Sequence, residues 1–262
     1  MPGQEKEKGQ FYTRPRLASR YYRRFRWFFD PARFQMVEPS AGGGAFLVLL
    51  PPDSFGCDIE PMRAGIYTTD FLDLTIHSNR PIACIGNPPF GTCARLAVAF
   101  FNHAATFSDV IAFIVPKTFR KAKTINSLDD RFHLLYEEEV PPNAFIFRGQ
   151  SHSVPTVFQI WMRQERRRQQ IPDINTHPDF EFGSQGQESF AMRRIGKYAG
   201  RTYNENGQSD QSHYFIKGDV RSAMENLEPE FAKVARNTAG QPSLTKAEIV
   251  SIYTAWLAKA PT

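Results

Sequence analysis

The segment Ile85-Gly86-Asn87-Pro88-Pro89-Phe90-Gly91 carries the most specific chemistry in the chain. Its two prolines fix φ and remove two N–H donors, so their carbonyls can point one way into a site. Asn87 adds a side-chain carbonyl acceptor and Phe90 a flat apolar face. This set suits a conjugated amine. The lone pair of adenine N6 is delocalised into the ring, which makes that nitrogen a poor nucleophile. Two acceptors, Asn87 Oδ1 and the Pro88 carbonyl, can hold its two hydrogens and favour a pyramidal nitrogen while Phe90 stacks on the base. No general base is needed beforehand, because the proton becomes acidic as a methyl group arrives. An ordinary Asn-Pro turn would use the same residue types, so the neighbouring segments decide between the two.

Three of them point the same way. Val37-Glu38-Pro39-Ser40-Ala41-Gly42-Gly43-Gly44-Ala45-Phe46 reads as a strand, then a glycine turn where backbone can approach a ligand closely. It lacks the G-x-G-x-x-G spacing of a pyrophosphate cradle, so a non-phosphate adenosyl ligand fits better than a dinucleotide. Gly56-Cys57-Asp58-Ile59-Glu60-Pro61 places acids at the end of a second strand, the usual partner of ribose hydroxyls, and Glu60 is the residue expected to hold them. In Thr69-Asp70-Phe71-Leu72, Asp70 can accept from an adenine amine and Phe71 can pack on its ring.

The elements that must position these loops follow from periodicity. Short apolar strands are expected at 34–37, 54–58 and 82–85, and a buried parallel strand at 110–115. Helices are expected after Gly44 and after Gly91, the second including 95–106. An N-terminal helix over 17–29 puts Tyr21, Tyr22, Phe25, Phe28 and Phe29 on one face and arginines largely on the other. Segments 144–147 and 156–162 read as an antiparallel hairpin at the sheet edge. Strand–helix alternation of this kind gives a doubly wound α/β sheet. Composition shifts after Met162, so residues 1–165 are taken as the catalytic domain and 166–262 as a C-terminal extension. Within the extension, 163–190 reads as a linker or arm, 191–217 as short strands, and 220–236 and 246–259 as helices, the last opened by a Thr245/Glu248 capping box.

On these motifs the chain resembles the amino-methyltransferases that act on adenine N6 in DNA, over roughly Lys8 to Met162. Lys8 to Thr13 resembles that family's first cofactor motif, Glu38 to Phe46 its cofactor loop, and Asp58 to Pro61 its ribose-binding acid. Asp70-Phe71 resembles the adenine contact, and Asn87 to Phe90 the catalytic motif. The resemblance implies a mostly parallel, seven-stranded, Rossmann-like methyltransferase sheet with S-adenosylmethionine as cofactor and an extruded target base. It implies a cofactor set of Gln10, Phe11, Tyr12, Thr13, Glu38, Ser40, Gly42, Gly44, Phe46, Asp58, Glu60, Asp70 and Phe71. The catalytic set is Asn87, Pro88, Pro89 and Phe90. No long target-recognition segment follows.

Charge supplies the partner. The net charge is +5, and residues 14–26 hold six arginines and no acid. Arg193, Arg194, Lys197 and Arg201 form a second basic run. Arginine suits bidentate phosphate contacts, so Arg14, Arg16, Arg193, Arg194, Lys197 and Arg201 are expected to touch nucleic acid, DNA ahead of RNA. No apolar stretch is long enough to span a membrane, and no signal-like segment precedes Gln10, so a cytoplasmic location is expected. The three cysteines, Cys57, Cys84 and Cys93, are expected as buried free thiols, and no spacing suggests a metal site. Two other readings share these residues: methylation of RNA adenine or of a protein glutamine amide, and a catalytically silent nucleic-acid-binding fold. An adenosine-cofactor oxidoreductase is opposed by the absent dinucleotide spacing.

Overall fold

The computed structural model describes residues 11–147, 149–186 and 189–259. Gln10 lies outside them. The chain divides into two compact units after Ile171.

The first unit contains β1 (Tyr12–Thr13), α1 (Pro15–Phe28), β2 (Gln35–Pro39), β3 (Phe55–Asp58), β4 (Tyr67–Thr68), β5 (Ile82–Gly86), α2 (Arg95–Phe107), β6 (Val110–Pro116), α3 (Ala122–Ser127), β7 (Phe132–Glu139), β8 (Phe145–Phe147), β9 (Gln150–His152) and β10 (Thr156–Arg163). Seven strands form the central sheet in the order β4-β3-β2-β5-β6-β10-β7, and only β10 runs opposite to the other six. All seven residues of β6 are buried, as a parallel strand covered on both faces requires. The covering helices are identified by β10. Phe158 stacks on Tyr21 of α1 at 4.3 Å, and Trp161 meets Phe101 of α2 edge-on at 5.5 Å. Three positions apart on a strand, the two side chains point to opposite faces. The sheet is therefore wound on both sides.

Helix α1 starts at Pro15, whose missing N–H costs nothing in the first turn. It buries Leu17, Ala18, Tyr21 and Phe25. Asp30-Pro31 follows, and the residue before a proline leaves the helical region.

Three expectations are corrected. No α-helix follows Gly44: only a single tight turn, Leu47–Leu49, forms before Pro51 and Pro52, which cannot donate to a continuing helix. The edge hairpin is also different. β8 pairs with β9 and β1 in a small separate sheet, whereas β10 inserts between β6 and β7. β7 was missed because its outer end, Glu137-Glu138-Glu139, reads as polar; these acids pair with Arg120, Arg20, Arg24 and Lys117. Finally, residues 166–171 belong to the first unit, since Arg168 donates to the Phe132, Ile125 and Leu128 carbonyls.

The second unit holds β11 (Glu181–Gly183), β12 (Ser189–Arg193), β13 (Thr202–Asn204) and β14 (His213–Lys217), then α4 (Arg221–Asn226), α5 (Glu228–Ala235) and α6 (Lys246–Leu257). Its sheet is antiparallel, in the order β11-β14-β12-β13. Phe190, Met192, Ile216, Phe231 and Ile249 lie in its own core. The capping box is formed, with Thr245 Oγ1 accepting from the Glu248 amide and Glu248 Oε2 from the Thr245 amide.

Candidate active site

The two motifs richest in chemistry leave adjacent parallel strands. From β2 the chain builds outward to β3 and β4; from β5 it builds the other way to β6. In an open α/β sheet, ligands bind at this switch point, outside the carboxyl ends of the strands. Gly86 closes β5 there, and a Cβ on it would sit 3.3 Å from the Pro39 carbonyl oxygen. Only a glycine lets the two strand ends approach without a shift.

Two acids stitch the glycine turn to the sheet. Glu38 is buried and accepts the Phe46 and Leu47 amides at 3.2 and 2.6 Å. Burial pushes its carboxyl up to about 8, although both amide bonds pull the other way. Asp58 accepts the Gly42 amide at 2.7 Å and the Glu60 amide at 2.8 Å. Gly42 has φ +53°, and a Cβ there would meet the Tyr12 ring at 2.9 Å. Glycine thus lets the N-terminal strand lie across the turn.

Two cavities open at this point. A first, of about 190 Å³, is lined by Asp58, Ile59, Thr69, Asp70, Phe71, Leu72, Pro89, Leu96 and Phe100. A second, of about 280 Å³, is lined by Thr13, Pro15, Glu38, Ala41, Gly43, Ala45, Met62 and Ile146. Phe11, Tyr12, Ser40 and Asn87 line both. Asn87 Nδ2 donates to the Phe11 carbonyl at 2.6 Å, which tethers the N-terminal segment over the Asn87–Phe90 loop. Asn87 Oδ1 is buried with no hydrogen-bond partner, and so is Thr13 Oγ1. A buried acceptor left unpaired costs about 1–3 kcal/mol.

No family model and no curated protein sequence matches the chain. Solved structures do align. The 23S rRNA methyltransferase ErmE aligns at 14% identity over 60% of this chain and 71% of its own, with TM-score 0.44. The magnesium protoporphyrin IX methyltransferase ChlM of Synechocystis, with bound SAM, aligns at 12% identity over 57% and 79%, with TM-score 0.42. A SAM-dependent methyltransferase of Anabaena variabilis aligns at 13% identity over 59% and 87%, with TM-score 0.41. The strand order above, rather than these alignments, defines the fold.

Several expected site residues have other surroundings. Glu60 is exposed and lines neither cavity, whereas Asp58, two residues earlier, lines the first. Phe90 is 5% exposed, with Phe11 at 6.2 Å and Phe145 at 6.4 Å. Its face is covered, and the ring at the junction of the cavities is Phe11. Pro88 is buried. Phe46 and Gly44 shape the turn: Phe46 is buried in the core, and Gly44 takes φ +74°. Phe71 is buried and stacks on Phe100 at 5.2 Å. Of the cysteines, Cys57 and Cys84 are buried and burial raises both thiols, but Cys93 is exposed. Leu72, Leu96, Phe100, Met62 and Ile146 complete the walls. Nothing in the sequence marked them, since apolar side chains on a helix face or loop read as core.

The basic residues divide between the units. Arg14 and Arg16 line a groove along α1 with Arg20, Arg23, Arg24, Trp27 and Pro141–Ala144. In the second unit Arg193 Nε donates to the Ile195 carbonyl. Arg194 lies over the Tyr214 ring, and Lys197 and Arg201 each lie 5.3 Å from the Tyr198 ring centre.

Proposed function

We propose that the chain is an S-adenosylmethionine-dependent methyltransferase that modifies the N6 amine of adenine in nucleic acid, DNA ahead of RNA. The observation that carries this reading is Asn87: it lines both cavities at the sheet's switch point, and its Oδ1 is buried with no partner. The chain bears the desolvation cost of that oxygen, and a donor from outside the chain, the amine of a substrate, repays it.

The residues present fit the cofactor. Asp70 and the Phe71–Phe100 pair suit an adenine ring, and Asp58 suits ribose hydroxyls, since a carboxylate has lone pairs beyond the two amides it accepts. Thr13 Oγ1, unpartnered, and Glu38 stand at the second cavity, where an amino-acid end with both charges would find a hydroxyl donor and a carboxylate. The bound cofactor supplies an electrophilic methyl on a sulfonium. Asn87 Oδ1 and the Pro88 carbonyl accept the two N6 hydrogens and hold the nitrogen lone pair toward the methyl. Phe11 and Pro89 give the target base its flat neighbours. Preorganised acceptors of this kind act where charge develops, on the nitrogen as it is alkylated.

The test is methyl incorporation from radiolabelled cofactor into DNA, RNA and a protein extract. Incorporation into DNA is expected to lead. Label confined to protein would replace this reading with glutamine methylation, and a chain that binds no cofactor would make it a silent fold.

A further inference from the structure

We infer that the arginine groove along α1 is a track for a single strand of nucleic acid. The inference rests on the proposed chemistry, because it names the form in which that substrate is held.

The groove has a volume of about 810 Å³, with one wall from Arg14, Arg16, Arg20, Arg23, Arg24 and Trp27 of α1 and its entry, the other from Pro141–Ala144. Its charge is not cancelled. Arg20 and Arg24 share Glu138, and Arg14 Nε donates to the Asn143 carbonyl. Among the described residues Arg14, Arg16 and Arg23 have no acidic partner. Three full guanidinium charges, with the surplus of the Glu138 pair, line the groove, and a phosphate backbone is the complementary polymer.

Trp27 decides between one strand and two. It is 67% exposed, an unusual cost for the largest side chain unless it is used. The Arg24 guanidinium lies 3.9 Å from its ring centre and covers one face. A ring held flat this way offers its other face for stacking. Paired bases in a duplex present only their edges to a protein, whereas an unpaired base can lie on the ring. A charged groove with an aromatic platform is the usual construction of single-strand sites.

The groove also adjoins the second cavity. Thr13 and Ile146 line the second cavity, and their near neighbours Arg14 and Ala144 line the groove. β1 and β8, paired at Tyr12–Ile146 and Thr13–Phe145, form the shared wall. A strand lying in the groove runs beside the proposed site, and its bases need none of the unpairing a duplex target requires.

The test is a binding measurement without turnover. Fluorescence anisotropy would compare single-stranded oligodeoxyadenylate, single-stranded oligoriboadenylate and a duplex of equal length. Either single strand is expected to bind at least about tenfold tighter than the duplex, and the two arms identify the sugar. Trp27→Ala should weaken single-strand binding about 5- to 150-fold, the loss of one stacked base, and leave duplex binding unchanged. Arg16→Gln with Arg23→Gln should lower the log–log salt slope by about 1.4, two single-strand phosphate contacts. A duplex that binds as tightly as the single strands, or a Trp27→Ala chain that binds them like the parent, overturns the inference. If methyl transfer to that duplex still depends on Asn87, the proposed chemistry stands. If no polynucleotide binds at all, both fall.

Discussion

Each unit of the chain buries polar atoms that no partner satisfies, and their surroundings differ. In the first unit Asn87 and Thr13, whose Oδ1 and Oγ1 are unpartnered, line cavities at the sheet's switch point, whereas the unpartnered Thr118 Oγ1 lines neither. In the second, His213 Nε2 is unpartnered on a side chain only 4% exposed, packed against Tyr203 at 5.7 Å. Its Nδ1 lies near the Ser209 carbonyl and the Ser212 hydroxyl. Burial and the Arg193 charge push that imidazole's pKa down, against the Ser209 hydrogen bond, and its orphan nitrogen sits in a packed core. The same defect therefore means two things. Orphans among packed side chains, such as Thr118 Oγ1 and His213 Nε2, are a stability cost; the two on cavity-lining residues are the ones the proposed ligand would satisfy.

This contrast can be broken most severely at Asn87. Asn87→Ala should slow methyl transfer about a hundred- to a thousandfold, the cost of one preorganised group. Cofactor affinity should hold, because the other loops carry it. Single-turnover rates beside a cofactor titration separate the two.

The next effect is pH dependence at Glu38. Its folded-state carboxyl is raised to about 8 by burial. The stability it contributes is thus fully present below its ordinary value of 4.5 and is lost as pH climbs through about 8. A cationic ligand favours the ionised form, so cofactor affinity should rise between about pH 6 and 8, by at most about tenfold per pH unit. Glu38→Gln should flatten both curves. Calorimetry across that range measures them, and a parental profile in the variant would remove Glu38 from the cofactor's surroundings.

Asp58 and Glu60 sharpen the site's edge. Asp58→Ala should weaken cofactor binding by about 1.5–3 kcal/mol, a hydrogen bond to a charged group, while Glu60→Ala should leave it unchanged. The reverse order would return the ribose contact to Glu60.

The smallest expected effect compares the orphans themselves. Thr13→Val keeps the shape and removes the hydroxyl, so cofactor affinity should fall by about 0.5–1.5 kcal/mol while the free chain, relieved of an unpaired buried hydroxyl, melts higher. His213→Leu should leave affinity and rate alone and move only stability. Equal behaviour of the pair, read by thermal denaturation and calorimetry, would erase the distinction.

Much of this arrangement was legible because it depends on neighbours in sequence. β2, β3, β5 and β6 are short apolar runs closed by turn residues, and α1 and α2 follow the helical period. The Asn87 and Glu38 loops announce themselves by proline and glycine. What sequence could not show depends on distant partners. β7 hides behind three glutamates whose charges are met by Arg20, Arg24, Lys117 and Arg120. Phe90 reads as an open face until Phe11, far away in the chain, covers it. Asp58 and Glu60 are equivalent on paper; the backbone at the end of β3 puts one at the cavity and the other in solvent. Trp27 belongs to an aromatic-rich helix, and the helical period does not say that this ring stays outside.

The most direct test of the central claim is the atom that receives the methyl. The chain would be incubated with trideuteromethyl-labelled cofactor and adenine-containing polynucleotide, and the digested nucleosides identified by mass spectrometry. The account predicts label on N6 of adenine, absent when adenine is replaced by purine, which lacks that amine, and nearly absent with Asn87→Ala. Label on another base or on a ring nitrogen, or N6-methyladenine at the parental rate from Asn87→Ala, would contradict it.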